Sequence, residues 1–295
     1  MSPTQYGCPV RLRAQRLLGA ASVLALASVG LGLAGAHDSA RAATTTAAAV
    51  TNQVNMPTGN IASNGVTWKP VVSQDFTKNA ARGQFSKVYG TAWAGYSGFK
   101  DTSNRGVYAP DKVLSVSGGN LNYYLHSTNG VAQVAAPMPN GYSPQTYGRY
   151  AIRVRTDSLP GYKLAFLLWP TSNNWNDGEI DFPDGDMTSK MYPASAIIGT
   201  YDKNGKTVPT FDKPPQSAAP TMGTGWHDAV IEWTKGHVRW YWDGKLVGQT
   251  TNTAGVPTKP MRWTLQAETA VDGTKLSSST TGKVQVAWVV QYKES

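Results

Sequence analysis

The chain has 295 residues, with 27 Lys+Arg against 18 Asp+Glu and a formal net charge of +9. The basic residues are scattered rather than gathered into a run, which argues against a nucleic-acid-binding surface. The single cysteine, Cys8, excludes a disulfide framework and a thiolate zinc site, so stability must come from a large core.

Arg11, Arg13 and Arg16 precede an apolar, small-residue run from Leu17 to Ala36, and Ala40-Arg41-Ala42 fits a small-x-small cleavage site. Residues 1–42 therefore read as a secretory signal peptide, giving a secreted, extracellular protein without membrane association after its removal. A membrane anchor is the competing reading, because the run approaches spanning length. The leader carries Arg11, Arg13, Arg16, Arg41 and Asp38, so the remaining chain has a balance of 23 − 17 = +6.

Residues 43–66 are rich in Thr, Ala, Asn and Gly and read as a flexible N-terminal segment, followed by one domain over 67–295. Strand signals then dominate. Leu121, Tyr123 and Leu125 alternate with polar neighbours, as do Tyr150, Ile152 and Val154. Lys163-Leu-Ala-Phe-Leu-Leu-Trp169 is an apolar run of strand length. Val238, Trp240 and Trp242 lead to Asp243-Gly244, a strong hairpin signal. Val284, Val286, Trp288, Val290 and Tyr292 read as one alternating face of the last strand. No segment carries the 3.6-residue period of an amphipathic helix. The expected class is all-β, a sandwich or barrel.

The chemistry is concentrated in Trp169-Pro-Thr-Ser-Asn-Asn-Trp175-Asn-Asp-Gly-Glu179-Ile-Asp181-Phe-Pro-Asp184-Gly-Asp186. Side chains two apart on a strand share a face, so Glu179 and Asp181 point the same way. Asp184 joins them only if one residue is inserted as a bulge. Pro183 lies in that gap, and a bulge is one of the few places where a sheet interior accepts proline. Two carboxyls flanking a sugar bond, with a third to tune them, form the minimal set for glycoside hydrolysis. Acidic clusters beside Gly and Pro are also commonly solvated loops or calcium ligands. Here the preceding buried strand and the flanking tryptophans favour a sugar-handling site.

The segment Trp169-Pro…Gly178-Glu179-Ile-Asp181-Phe-Pro-Asp184-Gly resembles the active-site signature of glycoside hydrolase family 16, Glu-x-Asp-x-x-Glu in its bulged, laminarinase-like form. Further blocks resemble the family in the same order. They are Tyr147-Gly-Arg149-Tyr-Ala-Ile-Arg-Val-Arg155, Gly225-Trp226-His227 through Trp233, Trp240-Tyr-Trp-Asp243-Gly244, Pro260-Met-Arg-Trp-Thr-Leu-Gln266-Ala-Glu268, and Val284 through Tyr292. The resemblance covers roughly residues 67 to 293. It implies a two-sheet, concanavalin-like jelly roll with a concave substrate cleft. It also implies a retaining endo-glycosidase acting on β-linked glucans, most favourably β-1,3-glucan.

The resemblance makes Glu179 the nucleophile, Asp181 the residue that orients and tunes it, and Asp184 the acid/base. The last position is normally glutamate in the family. Aspartate is one methylene shorter, which withdraws the carboxyl by roughly 1.5 Å. A misplacement of about 1 Å can cost on the order of 10²-fold in rate. A non-catalytic or slow glucan-binding protein on the same fold is therefore the alternative. Trp169 and Trp175 are the best-placed stacking residues. Trp93, in the Gly-rich stretch 90–98 that resembles a cleft rim, together with Gln266 and Glu268, are further candidate substrate contacts, with structural pairing an equal reading for Glu268. Tyr201 is a candidate polar contact where many relatives carry histidine. Trp233, Trp240, Trp242, Trp263 and Trp288 read as core, and His227 as structural. Ala287 stands where many relatives have a calcium-ligating aspartate, so no metal is expected there, and no cofactor is visible or needed. The expected partner is a polysaccharide substrate, with no nucleic acid, and the expected state is a monomer.

Overall fold

The computed structural model describes residues 55–187, 189–215 and 219–295. The strands run, in order, β1 (Ile61–Ser63), β2 (Val66–Gln74), β3 (Gly106–Tyr108), β4 (Leu114–Ser117), β5 (Asn120–Thr128), β6 (Val131–Val134), β7 (Gly148–Thr156) and β8 (Tyr162–Pro170). They continue as β9 (Ile180–Asp186), β10 (Tyr192–Ile197), β11 (Thr210–Asp212), β12 (His227–Thr234), β13 (His237–Trp242), β14 (Lys245–Gln249), β15 (Met261–Thr269) and β16 (Gly282–Glu294). Three short helices, α1 (Phe85–Tyr89), α2 (Thr91–Ala94) and α3 (Pro110–Val113), lie between β2 and β4.

The strands form two sheets. The larger is ordered β14-β13-β12-β7-β16-β5-β6-β3, with β4 beside β5 and the β1–β2 hairpin joined to β16 through β2. The smaller is ordered β11-β10-β9-β8-β15. One apolar core lies between them. The expected alternating sets on β5, β7 and β13 point into it, and from the smaller sheet come Leu164, Phe166, Leu168, Ile180, Phe182, Trp263 and Leu265. Rings meet across the gap, Tyr150 against Trp263 at 5.5 Å and Phe182 against Trp242 at 5.8 Å between centroids. The fold is the expected two-sheet jelly-roll sandwich.

Two details of pairing differ from the sequence reading. The flexible segment expected over 43–66 gives way at Ile61, where β1 and β2 pair across Asn64-Gly65. Both turn residues have positive φ, 50° and 77°, which Asn-Gly adopts readily and which suits a two-residue hairpin. Ile61 and Val66 then pack against the cluster that contains Trp68, Trp288 and Tyr292. The signal-peptide reading, and residues 43–54, lie outside the described residues. The second difference is on β16. Its register against β7 shifts between Val286 and Trp288, and one extra residue reverses the facing of everything after it. Val284 and Val286 point into the central core, whereas Trp288, Val290 and Tyr292 join a separate cluster with Trp68, Ala151, Val230 and Ala287. The five are therefore not one face.

Candidate active site

The smaller sheet places the acidic motif. Alternation on β8 sends Leu164, Phe166 and Leu168 into the core and leaves Ala165, Leu167 and Trp169 in a separate cluster on the opposite face. Strand β9 pairs along the edge of β8 with one residue to spare. Leu167 pairs with Asp181 and Ala165 with Asp184, so Phe182 and Pro183 stand opposite the single residue Phe166. The register shift brings Asp181 and Asp184 to the same face as Ala165 and Leu167, while Phe182 stays in the core. Glu179 precedes β9, and its carbonyl accepts the Ala196 N–H at 2.8 Å. Gly185 follows Asp184 at a point where a Cβ would lie 2.2 Å from the Lys190 carbonyl oxygen. Only glycine lets the chain before β10 approach so closely there.

Burial and hydrogen bonding give the three carboxyls different states. Glu179 is 8% exposed and Asp181 4%, whereas the Asp184 side chain is 29% exposed. Burial pushes the Glu179 carboxyl up to about 7, opposed by the indole of Trp175, which donates from Nε1 to Oε2 at 2.7 Å. Trp175 is positioned by a single 3₁₀ turn, Trp175–Asp177, capped by the Asn174 side chain. Burial raises Asp181 well above the usual carboxylate range, reinforced by the charges of Glu179 and Asp184. The neighbouring Asp181 carboxyl lowers the Glu179 value, while the Glu179 charge raises that of Asp181. Asp181 is thus pushed toward its protonated form more strongly than Glu179. The Asp184 Oδ1 lies 3.0 Å from the Lys163 ammonium.

Strand β15 borders the same floor. Arg262, Gln266 and Glu268 pair with Trp169, Ala165 and Lys163. Gln266 is 8% exposed and stands across from Ala165, whose other neighbour is Asp184. A pocket of about 360 Å³ opens next to Trp175, lined by Trp169, Asn173, Asn174, Trp175, Lys206 and Pro209, among others. Arg262 buttresses its wall, donating to the Asn173 Oδ1 at 2.7 Å, the Tyr96 hydroxyl at 2.9 Å and the Pro170 carbonyl at 3.1 Å.

Several sequence candidates fall together and others do not. Glu179, Asp181, Asp184, Trp169, Trp175 and Gln266 converge on the cleft face of the smaller sheet. Trp169 contributes a wall rather than a free platform, since only 5% of it is exposed. Trp93 is not at the cleft. It is 7% exposed on α2, edge-on to Phe76 at 5.4 Å and to Phe85 at 6.2 Å. The Gly-rich stretch resembles a rim, but its short helices fold the ring inward. Glu268 is 1% exposed, and its Oε2 accepts from the Tyr108 hydroxyl at 2.8 Å and the Thr102 N–H at 3.3 Å. Its oxygens are occupied, so it is a structural pair and not a sugar contact. Tyr201 is 70% exposed on the loop that pairs with Thr207, a pocket-lining residue. The five tryptophans read as core are buried. His227 is held by Asp243 at 2.7 Å and stacks on Trp242.

The sequence reading missed Lys163, Asn173, Arg262 and the exposed Tyr142, which lies over the Arg262 guanidinium at 5.0 Å. Lys163 carried a signal, being the charged residue on the cleft-facing side of an otherwise apolar strand.

A model of the glycosyl hydrolases family 16 matches residues 107–290. The chain belongs to this family. Family 16 membership covers β3 through most of β16, the whole smaller sheet and the acidic motif included. Among solved structures, the laminarinase from Rhodothermus marinus superposes with a TM-score of 0.60 at 20% identity, covering 77% of this chain and 98% of that one. The endo-β-1,3-glucanase from Pyrococcus furiosus gives 0.55 at 14% identity, covering 81% and 99%. At such identities the likeness is one of fold. The kappa-carrageenase of Pseudoalteromonas carrageenovora is 27% identical over 150 residues, 44% of this chain, and the match spans about a third (35%) of that relative's length.

Proposed function

We propose that this family 16 protein is a secreted, retaining endo-glycosidase that cleaves β-linked glucans, with β-1,3-glucan the preferred polymer. The observation that carries the reading is the convergence of Glu179, Asp181 and Asp184 on one face through the register shift at Phe182-Pro183. Glu179, freed of its proton by the Trp175 donor and the neighbouring Asp181, attacks the anomeric carbon. Asp184, the most open of the three, protonates the leaving glycosidic oxygen. The covalent glycosyl-enzyme is then attacked by a water whose proton passes to Asp184, restoring the anomeric configuration. The pocket beside Trp175 receives the sugar on the glycone side, and Gln266 supplies hydrogen bonds to its hydroxyls. The choice of β-1,3-linkage is supported by the laminarinase and β-1,3-glucanase folds to which the chain is similar. The carrageenase relative makes a marine galactan the next polymer to try.

The second reading, a glucan-binding protein without turnover, is favoured by the ion pair between Asp184 and Lys163 and by the shorter acid. Product analysis after long incubation with laminarin, with Asp184→Glu in parallel, separates the two. Oligosaccharides released by the wild type support the hydrolase. Turnover by Asp184→Glu alone supports a binding protein derived from an enzyme. Silence from both with laminarin, mixed-linkage glucan and carrageenan overturns the glycosidase reading.

A further inference from the structure

Lys163 lies on β8 at the cleft-facing position beyond Ala165, with its side chain 12% exposed. Its ammonium is 3.0 Å from Asp184 Oδ1 and 4.0 Å from Glu268 Oε1. Glu179, just before β9, and Asp181 and Asp186 on it also feel its charge. Five carboxyls from β9, its leading residue and β15 thus lie within reach of the Lys163 charge. Glu268 is further supported by Tyr108 on β3 and faces Asp101 in the loop before it. Asp101 is itself satisfied by the N–H groups of Arg105, Gly106 and Thr269 and by the Thr269 hydroxyl. Burial works against the ammonium, but the charges of Asp184 and Glu268 outweigh it, so Lys163 stays protonated throughout the working pH range.

We propose that Lys163 is the positioning residue for the acid/base. It clamps the short Asp184 carboxyl onto the cleft floor through the 3.0 Å contact between its ammonium and Oδ1. This rests on the hydrolase reading above. A carboxyl anchored through one oxygen keeps the other in a fixed place for proton transfer, and a misplacement of about 1 Å can cost on the order of 10²-fold in rate. Cleavage that needs a proton on the leaving group therefore depends on Lys163.

The test compares Lys163→Met with Lys163→Arg. Kinetics are measured as kcat/KM on a glucan oligosaccharide and on an aryl glycoside whose leaving group departs without protonation. Because Lys163→Met leaves Glu268 without its cation, the double variant Lys163→Met with Glu268→Gln serves if the single variant misfolds. The expected result is a loss of roughly 10²-fold in kcat/KM on the oligosaccharide for Lys163→Met. The aryl glycoside keeps its kcat/KM, and Lys163→Arg restores cleavage of the oligosaccharide. A folded Met variant that loses nothing, or loses equally on both substrates, overturns the proposal, as does an Arg variant that behaves like Met. If the wild type cleaves neither substrate, the hydrolase reading has failed on its own. The clamp is then read from a double-mutant cycle of thermal melts, in which Lys163→Met and Asp184→Asn together cost less than the sum of the two single losses. Additive losses overturn it.

Discussion

Trp175→Phe isolates the hydrogen bond that, in the proposed mechanism, makes Glu179 available as a nucleophile. The indole Nε1 is 2.7 Å from the Glu179 Oε2, and the carboxyl is 8% exposed, so solvent does not replace the lost donor. Hydrogen bonds to charged groups contribute about 1.5–3 kcal/mol. At about 1.36 kcal/mol per pH unit, losing one moves the titration of Glu179 upward by roughly 1–2 units. In the intact protein Glu179 titrates at about 7. Its nucleophilic form is present above that pH and lost as pH falls through it, which sets the acid limb of kcat/KM near neutrality. In the Phe variant the limb should move toward alkaline pH by the same 1–2 units, and the rate at pH 6 should fall roughly tenfold to a hundredfold. Trp175 also lines the pocket, so some loss of sugar affinity is expected, but that loss is the same at every pH. The assay is the pH dependence of kcat/KM on a soluble oligosaccharide. A folded Trp175→Phe protein whose rate drops uniformly, with the acid limb in place, would refute the assignment of Glu179 as the titrating nucleophile.

Glu179→Gln should abolish turnover, leave glucan binding largely intact and stabilise the fold at neutral and alkaline pH. Burial raises the folded-state value from the ordinary 4.5 to about 7. The native protein thus holds a proton that the unfolded chain has released, and stability falls as pH rises between those values. The penalty has an upper bound of about 3 kcal/mol. Thermal melts of the Gln variant should exceed wild type at pH 8 and match it near pH 4, and equal melts at both would count against a buried, ionising Glu179. Trp93→Ala should cost about 3–5 kcal/mol of stability through the cavity it leaves beside Phe76 and Phe85. Its KM should stay unchanged, whereas a raised KM in a folded variant would return Trp93 to the cleft.

Residues close in the chain and coupled by alternation determined most of the floor of the candidate site. The two-residue spacing of Glu179 and Asp181, the proline where a bulge is needed, and the apolar run of β8 are local properties, and the structure keeps all three. So are the Asp243-Gly244 turn, with φ of 48° and 77°, and the inward sets on β5, β7 and β13. Long-range packing decided the rest. Glu268 meets Tyr108 across 160 positions of the chain, and nothing beside Glu268 in the sequence says its oxygens are taken. Trp93 turns inward because Phe76 and Phe85 leave an aromatic cavity for it. The extra residue at Ala287 becomes visible only against β7, where it reverses the last strand's faces. Lys163 acquires its role when β8 lies between β9 and β15, because the charge on a side chain is set by its own chemistry but the partners of that charge are set by the fold.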